Sequence, residues 1–354
     1  MFLKCFLRAH ANSSTRGLLK SNIKPQFSNR FYKVKQMTTS WFDDSVIDKI
    51  IWEEIAQSTS KGDFVCYMIH EPIGSRHRDE AKARMASIGP QRDIAPASYG
   101  RAVERIRQLA ESGDPVATFH MGKIHALGIS IPQNLPLAVE WYEKAMALGD
   151  PRSHANLGWF YQSGYGVPVN KKRAFELLSF GADNGIHSAK ATIGIMRLTG
   201  EGCDANPELG LLLLEEAFDA GVVAAGNHLA DTYFAGTVVR RDMEKGHEWL
   251  FRVAEQGDER TMAILGHYLV AGTHGKTDIP RGLSLLEAAI EKEYLPAFLW
   301  VGSLYKNGTG VEQDTEKAAQ WYQRGIEAGN FDCVAALALL ENESARDGSP
   351  ETLH

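Results

Sequence analysis

The sequence contains no long apolar segment. Its longest run of leucines, Leu211–Leu214, is followed at once by Glu215 and Glu216. A membrane-spanning helix needs about 18 or more consecutive, mostly apolar residues. We therefore expect no integral membrane insertion. The hydrophobic content of 44% predicts a soluble, folded protein with a substantial core.

Cysteine is scarce as well. The four cysteines lie far apart, at positions 5, 66, 203 and 333, and no two of them form a CxxC pair. This pattern is typical of a reducing compartment rather than of a disulfide-stabilised secreted protein. It also disfavours a zinc site made of cysteines. The sequence thus predicts a cytoplasmic protein with no cofactor and no metal.

Acidic side chains are absent from residues 1–42, which carry eight lysines and arginines. An acid-free leader with arginine and serine is typical of a mitochondrial transit peptide, and a genuine one would make the protein mitochondrial. Met37 opens the segment Met-Thr-Thr-Ser, so translation from Met37 is the alternative interpretation. The sequence does not decide between these start sites. Residues 1–40 are a basic leader or a disordered extension.

The remainder of the chain is strongly acidic. Of the 38 basic residues only those outside the leader balance the 44 acidic ones, which leaves residues 43–354 with a formal net charge of about −14. Proteins that bind phosphate backbones need clustered lysine and arginine. The composition therefore disfavours a nucleic-acid partner.

Residues 41–77 are predicted to form an N-terminal adaptor. Apolar residues recur at helical spacing from Val46 to Ile55, and Asp44 or Ser45 is placed to cap that helix. The apolar stretch Phe64–Ile69 fits either a strand or a buried helical turn. It is too short for its periodicity to decide.

Similar residues recur every 36 positions along most of the chain, with no insertion or deletion. One register position holds Gly122, Gly158, Gly194, Ala230, Gly266, Gly302 and Ala338. A second holds Gly128, Gly164, Gly200, Gly236, Gly272 and Gly308. A third holds Asn134, Asn170, Asn206, Asp242, Asp278 and Asp314. Such a period is the signature of a repeat architecture.

Each register position has a physical role in a pair of helices. A small residue inside helix A allows a neighbouring helix to approach closely, so Gly158 is expected to accept Ala but not Leu. The second glycine ends helix A in the left-handed conformation, and the Asn or Asp caps helix B. Stacked pairs share a core that one pair cannot form alone. The sequence therefore predicts an all-α protein, a right-handed α/α solenoid of antiparallel helix pairs.

The register assigns residues 78–343 to this solenoid. Its first unit is degenerate, because Pro90 and Pro96 interrupt it, and residues 330–343 supply a lone capping helix. Residues 344–354 are predicted to be a disordered tail. The seven units are 78–113, 114–149, 150–185, 186–221, 222–257, 258–293 and 294–329.

The repeat resembles a known family. The pattern Leu-Gly-x-x-Tyr-x-x-Gly-x-Gly-Val occurs at Leu157–Val167. It recurs at Val301–Val311 with Val in the first position, followed by Lys-Ala-x-x-Trp-Tyr at Lys317–Tyr322. This pattern is similar to the Sel-one-like repeat, a relative of the tetratricopeptide repeat. The resemblance implies an adaptor or scaffold in protein complexes. One departure is Glu293, which stands where the other repeats end helix B with glycine.

By analogy with tetratricopeptide repeats, helix A is expected to line a concave groove. Aromatic and arginine side chains are the usual anchors of interfaces, so Trp159 and Trp300 are the leading candidates at groove-facing positions. The alternative is that both tryptophans pack against neighbouring helices. The candidate partner-binding residues are Arg152, Asn156, Trp159, His228, Asp231, Arg260, His267 and Trp300.

The sequence therefore predicts a protein–protein interaction scaffold, not an enzyme, that binds a protein or peptide in its groove. An RNA-binding helical-repeat protein and a hydrolase are the alternatives. His228, Asp231 and His267 form a set that can bind zinc or iron, although solvated polar residues on a groove wall are commoner. No motif indicates a catalytic triad, and the oligomeric state is left open.

Overall fold

The computed structural model describes residues 44–70, 77–88, 98–275 and 277–347. These residues form α-helices and one 3₁₀ turn, and no β-strand occurs among them. The predicted leader, residues 1–40, and residues 348–354 of the predicted tail lie outside the described residues. For the part of the chain that is described, the all-α repeat fold predicted from the register is confirmed.

The helices follow the repeat period. The first four are α1 (Ser45–Ile55), α2 (Lys61–His70), α3 (Arg78–Ser87) and α4 (Tyr99–Glu111). The next six are α5 (Pro115–Leu127), α6 (Leu135–Ala147), α7 (Pro151–Ser163), α8 (Lys171–Asp183), α9 (His187–Thr199) and α10 (Pro207–Asp219). The last seven are α11 (Val223–Ala235), α12 (Met243–Glu255), α13 (Glu259–Ala271), α14 (Ile279–Glu291), α15 (Pro296–Asn307), α16 (Thr315–Glu327) and α17 (Asp332–Asp347).

The chain divides into two compact units, residues 1–213 and 214–354, called here the N-terminal and C-terminal units. In the N-terminal unit α1 packs against α4, α2 packs against α3, and each helix from α4 to α8 packs against the next. In the C-terminal unit the same succession runs from α11 to α17. Each unit is thus built from consecutive helix pairs.

The predicted caps of the repeat helices are confirmed. All six glycines that end helix A, from Gly128 to Gly308, have φ between 63° and 74°. Every Asn or Asp that precedes helix B accepts a backbone N–H from three residues later, as Asn134 does from Leu137 at 3.0 Å. The same bond recurs at Asn170, Asn206, Asp242, Asp278 and Asp314. These local signals fix where each helix begins and ends.

Helices A and B of one repeat are antiparallel and closely packed. In the α7–α8 pair, a β-carbon on Gly181 would lie 3.2 Å from Ala155, and one on Gly158 would lie 2.7 Å from Cγ of Leu178. The close approach predicted at Gly158 is therefore confirmed. The expectation that Gly158 accepts Ala is wrong, because even a β-carbon would force Leu178 to move.

The core follows the register too. From α5 to α15, the residue before each small helix-A position is buried, as at Met121, Leu157, Leu229, Leu265 and Val301. The stretch from Phe64 to Ile69, which fitted a strand or a helical turn, belongs to helix α2. At the other end, α17 runs to Asp347, beyond the predicted boundary at residue 343.

Candidate protein-binding surface

In the N-terminal unit the predicted groove residues are buried. Arg152 is 1% exposed, Asn156 is 5% exposed and Trp159 is 6% exposed. The expectation that these three side chains are accessible to a partner is therefore wrong. Trp159 packs against Tyr165, with ring centroids 4.9 Å apart, and Asn156 hydrogen-bonds the buried Tyr142 hydroxyl.

Arg152 is held by two carboxylates. Its Nη2 donates to Oδ2 of Asp150 at 2.7 Å, and its Nη1 donates to Oδ1 of Asp44 at 2.7 Å. The guanidinium also lies over the Phe119 ring, 4.1 Å from its centroid. Asp44 was one of the two residues expected to cap α1, but its side chain does not cap that helix. Its carboxylate instead neutralises an arginine 108 residues away in sequence.

Two histidines extend this buried network. Nε2 of His120 lies 3.0 Å from Oδ1 of Asp44, and Nδ1 of His120 lies 2.8 Å from Nε2 of His70. Nδ1 of His70 lies 2.5 Å from the Tyr99 hydroxyl. The side chain of Lys123 donates to the backbone carbonyl of His70.

The hydrogen bonds of this network run in one direction. A carboxylate can only accept, so His120 donates through Nε2 and, as a neutral imidazole, accepts through Nδ1. His70 must then donate through Nε2 and accept at Nδ1, where Tyr99 donates its hydroxyl proton. Every ring nitrogen is satisfied in this arrangement, in which both imidazoles are neutral.

The pKa shifts agree with that charge state. Burial lowers the pKa of His70 well below 6.5, and nearby His120 and Lys123 lower it further. Burial also lowers the pKa of His120, although Asp44 acts in the opposite direction. Burial opposes ionisation of Asp44, but His120 and Arg152 outweigh it and hold the pKa of Asp44 well below its usual value.

The network and its surrounding apolar residues cover the groove positions His120, Lys123 and Arg152 of the N-terminal unit. Ile47, Ile51 and Ile55 of α1 and Phe64 and Tyr67 of α2 are fully buried in one core cluster, which also contains Met121 and Trp141 of the repeats. The segment from residue 44 to residue 70 is therefore part of the fold. Its polar side chains occupy the positions where a partner was expected.

In the C-terminal unit the predicted residues are accessible. His228, Asp231 and Arg260 are exposed, and His267 and Trp300 are half-buried. The ring centroids of His267 and Trp300 lie 6.0 Å apart, with the rings edge to face. The ring centroids of Tyr294 and Trp300 lie 5.9 Å apart, also edge to face. Tyr268 lies beside His267 at 6.5 Å. We call His228, Asp231, Arg260, His267, Tyr268, Tyr294 and Trp300 the aromatic surface.

Charged groups lie within electrostatic reach of these rings. Burial raises the pKa of Asp231, while the nearby charges of His228 and Arg260 lower it. Burial raises the pKa of Tyr268, and Asp231 raises it further. Burial also raises the pKa of Tyr294, with Arg260 acting in the opposite direction. The aromatic surface therefore combines half-desolvated rings with one acidic and one basic side chain.

The alternative of a metal site is not supported by the geometry. Among the described residues, no three His, Cys, Asp or Glu side chains are grouped closely enough to hold a metal ion. His228, Asp231 and His267 thus share a face of the C-terminal unit without converging on one point.

Sequence reasoning missed the role of Asp44 and His70, and it missed Tyr268 and Tyr294. A signal for the first two was available, because Lys123 and Arg152 place positive charge at groove positions of adjacent repeats. Buried cations need counter-charges or acceptors. Asp44 and the carbonyl of His70 supply them from a segment outside the clear repeats.

Comparison with known proteins identifies the repeat. The family model described as the Sel1 repeat matches residues 115–150, 151–186, 189–222, 224–258 and 299–330. The chain is a Sel1-repeat protein. Sel1 repeats generally form scaffolds for protein–protein interaction.

Relatives and solved structures agree with this assignment. The Sel1-repeat-containing protein YjcO of Escherichia coli strain K12 is 34% identical over 99 residues, which is 26% of this chain and 43% of YjcO. The chain thus matches less than half the length of that curated relative. A Sel1 repeat protein from Oxalobacter formigenes has a TM-score of 0.52 at 23% identity, over 64% of this chain and 99% of that one.

A second solved structure shows the same fold. The protective antigen c5321 of uropathogenic Escherichia coli, which displays an SLR fold, has a TM-score of 0.54 at 23% identity, over 86% of this chain and 61% of that one. At this identity the likeness concerns the fold alone. Within the described ranges, every helix is too short or too polar to cross a membrane.

Proposed function

We propose that this Sel1-repeat protein is a scaffold whose protein or peptide partner binds the aromatic surface of the C-terminal unit. The observation that carries the proposal is the accessibility of His267, Trp300 and Arg260, whose counterparts in the repeat 150–185 are buried. Half-buried aromatic side chains and arginine are the residue types that dominate the binding energy of interfaces. Neither the RNA-binding nor the hydrolase alternative has a comparable observation in its favour.

The chemistry of the surface defines the partner. Trp300, Tyr294 and His267 offer apolar ring faces and edges for one or two large apolar side chains. Arg260 is an exposed donor for a carboxylate, and Asp231 is an exposed acceptor for an amide or a cation. An extended peptide with an apolar side chain next to an acidic residue meets these groups.

The test is a comparative pull-down of the full chain from cells that make the protein, with mass spectrometry and titration of the proteins retained. Trp300→Ala should weaken the binding of the specific partner by about 2 kcal/mol or more, the scale of an interface hot spot. Arg260→Glu should weaken it as well, by reversing the charge offered to the partner.

Phe180→Ala is the matched control. Phe180 is an aromatic residue of the N-terminal unit, 46% exposed, and it stacks on His154. Its substitution should leave partner binding unchanged. A partner that is retained equally by Trp300→Ala, Arg260→Glu and Phe180→Ala contradicts the proposed site.

A further inference from the structure

Within the part of the chain that the structure describes, α17 lacks the helix B that every earlier helix A of the C-terminal unit packs against. Helix α11 packs against α12, α13 against α14 and α15 against α16, each pair forming one repeat. Helix α17 is the helix A of the next repeat in the register, since its Ala338 follows Gly302 by one period. Among the described residues, no helix follows α17.

Residues at the same register position are more exposed in α17 than in the earlier helices A. Leu229, Leu265 and Val301 are at most 1% exposed, whereas Leu337, at the same register position in α17, is half-buried. Ala230 is fully buried in the α11–α12 pair, whereas its counterpart Ala338 is exposed. The same sequence position thus changes from core to surface at α17.

The exposed residues form one continuous apolar face. Phe331 is 62% exposed, Val334 is 47% exposed and Leu339 is 59% exposed. Ala335 and Ala338 lie on the same side of the helix at helical spacing and are also exposed. Beside Leu337 an open groove is lined by Ala319, Gln320, Gln323 and Arg324 of α16. Contiguous apolar surface of this kind marks an interaction site.

The repeats themselves show which kind of structure covers this face. In the α15–α16 pair, the Tyr322 ring lies so close to Gly302 that a β-carbon there would be 2.3 Å from it. In the α13–α14 pair, Leu286 occupies the equivalent place above Gly266. The natural cover is therefore an amphipathic helix that places a large apolar residue over the small one.

The charges around the face select among possible helices. Asp332 and Glu341 are exposed along α17, and Glu327 is exposed at the end of α16. Glu343 of α17 is exposed as well and is paired with Lys306 at 2.8 Å. The α17 of a second copy would bring the same carboxylates opposite one another, and like charges repel. A helix with basic residues beside its apolar stripe is complementary to this acidic edge.

We propose that α17 and the groove beside it form a second binding surface, which accepts a basic amphipathic helix of another protein as the helix B of an additional repeat. This surface is distinct from the aromatic surface and does not depend on the function proposed for it. Recognition follows the helix-in-groove mode, with apolar anchors at helical spacing.

The experiment measures binding of a labelled synthetic helix B to the full chain by fluorescence anisotropy. The probe is an acetylated and amidated peptide with the sequence of residues 169–186, which has three basic and two acidic residues. Its Leu178 is the residue that packs on Gly158 in the N-terminal unit. We expect saturable binding that weakens as the ionic strength rises, because part of the attraction is between exposed charges.

Matched variants locate the site. Val334→Glu should weaken peptide binding by about tenfold or more, as expected for the loss of an interface anchor. Val169→Glu, at a valine that is 58% exposed in the N-terminal unit, should leave it unchanged. Trp300→Ala should also leave it unchanged, which separates this proposal from the one for the aromatic surface. A peptide in which Leu178 is replaced by Asp should not bind.

Three results would overturn the proposal. The first is absence of binding to the unaltered chain, or equal binding to the Val334→Glu and Val169→Glu variants. The second is concentration-dependent dimerisation in sedimentation that Val334→Glu abolishes, which assigns the face to a second copy of the chain. The third is binding only after removal of residues 348–354, which assigns the face to the chain's own tail.

Discussion

Several repeat positions are buried in the N-terminal unit and accessible in the C-terminal unit. His120 and Asn156 in the N-terminal unit are 1% and 5% exposed, whereas His228 and Trp300, in the same row of the C-terminal unit, are exposed and half-buried. In the adjacent row Trp159 is buried, while Asp231 is exposed and His267 half-buried. The backbone around these residues is the same helix A in each case.

The difference has a physical cause that lies outside the repeats. In the N-terminal unit, Asp44 and His70 supply a carboxylate, an imidazole and a carbonyl to His120, Lys123 and Arg152. Buried polar groups are tolerated only when such partners exist. A repeat position therefore becomes a binding position or a core position according to what the neighbouring chain segment offers it.

Breaking the ion pairs of Arg152 tests this explanation with the largest expected effect. Arg152→Met keeps most of the side-chain volume but leaves Asp44 and Asp150 without their common cation. Removing one partner of a buried ion pair destabilises a protein by about 3–5 kcal/mol. Thermal and urea unfolding of the variant should show a loss of that size.

Arg105→Met is the control for that experiment. Arg105 binds Glu53 and Glu54 at 2.9 and 3.1 Å, but its side chain is 41% exposed. An exposed pair contributes about 0–1 kcal/mol. If the two arginine variants lose equal stability, burial of the Arg152 network is not what distinguishes the N-terminal unit.

The two tryptophans should separate folding from binding. Trp159→Ala removes a buried ring from the N-terminal core, and such changes cost about 3–5 kcal/mol in the free energy of unfolding. Trp300→Ala should cost clearly less, because part of its ring already contacts solvent. Equilibrium unfolding of both variants checks the order. A larger loss for Trp300→Ala would make it the core residue and contradict the comparison of the two units.

Much of the fold could be predicted from the sequence, because its signals are local. The glycine at Gly164 and the cap at Asn170 specify helix ends through contacts within a few residues, and the structure confirms both. The environment of Arg152 could not be predicted, because it depends on Asp44, a residue distant in sequence. The repeat register alone named the candidate residues of the C-terminal unit. It could not predict which candidates are buried and which are accessible, because burial depends on tertiary contacts.

Acid should destabilise the N-terminal unit through its two buried histidines. Their pKa values in the folded protein are lowered below the ordinary value of 6.5. The unfolded chain therefore binds more protons below pH 6.5, so stability is complete above that pH and is lost as the pH falls. Each unit of pKa shift corresponds to about 1.4 kcal/mol. Melting temperatures measured from about pH 7.5 to pH 5 should fall accordingly.

A pair of variants assigns that pH dependence. His120→Gln removes one titrating ring while keeping a donor and an acceptor, so the melting temperature should depend less on pH. His267→Gln serves as the control. His267 lies in the C-terminal unit, and its pKa is lowered by burial rather than by a neighbouring histidine. An unchanged pH profile in His120→Gln would show that the buried histidine pair is not the acid-sensitive element.

Glu293 offers the smallest test, and it concerns a difference in the backbone. In the N-terminal unit, helices α4, α6 and α8 each end a repeat. Each is followed by a glycine with φ between 82° and 94°. In the C-terminal unit Gly221, Gly257 and Gly329 do the same, but Glu293 occupies this place with φ of 64°. The left-handed conformation costs a non-glycine residue about 1–2 kcal/mol. Glycine loses more conformational entropy on folding, by about 0.5–1 kcal/mol, which offsets part of that cost. Glu293→Gly should therefore stabilise the protein by about 0.5–1 kcal/mol, seen as a small rise in melting temperature.

Gly221→Glu is the reciprocal change. A β-carbon at Gly221 would meet no atom within 4 Å, so the cost of the substitution is conformational. Gly221→Glu should lower the melting temperature. A rise with Gly221→Glu, or a fall with Glu293→Gly, would show that backbone conformation does not decide between glycine and glutamate at the end of helix B.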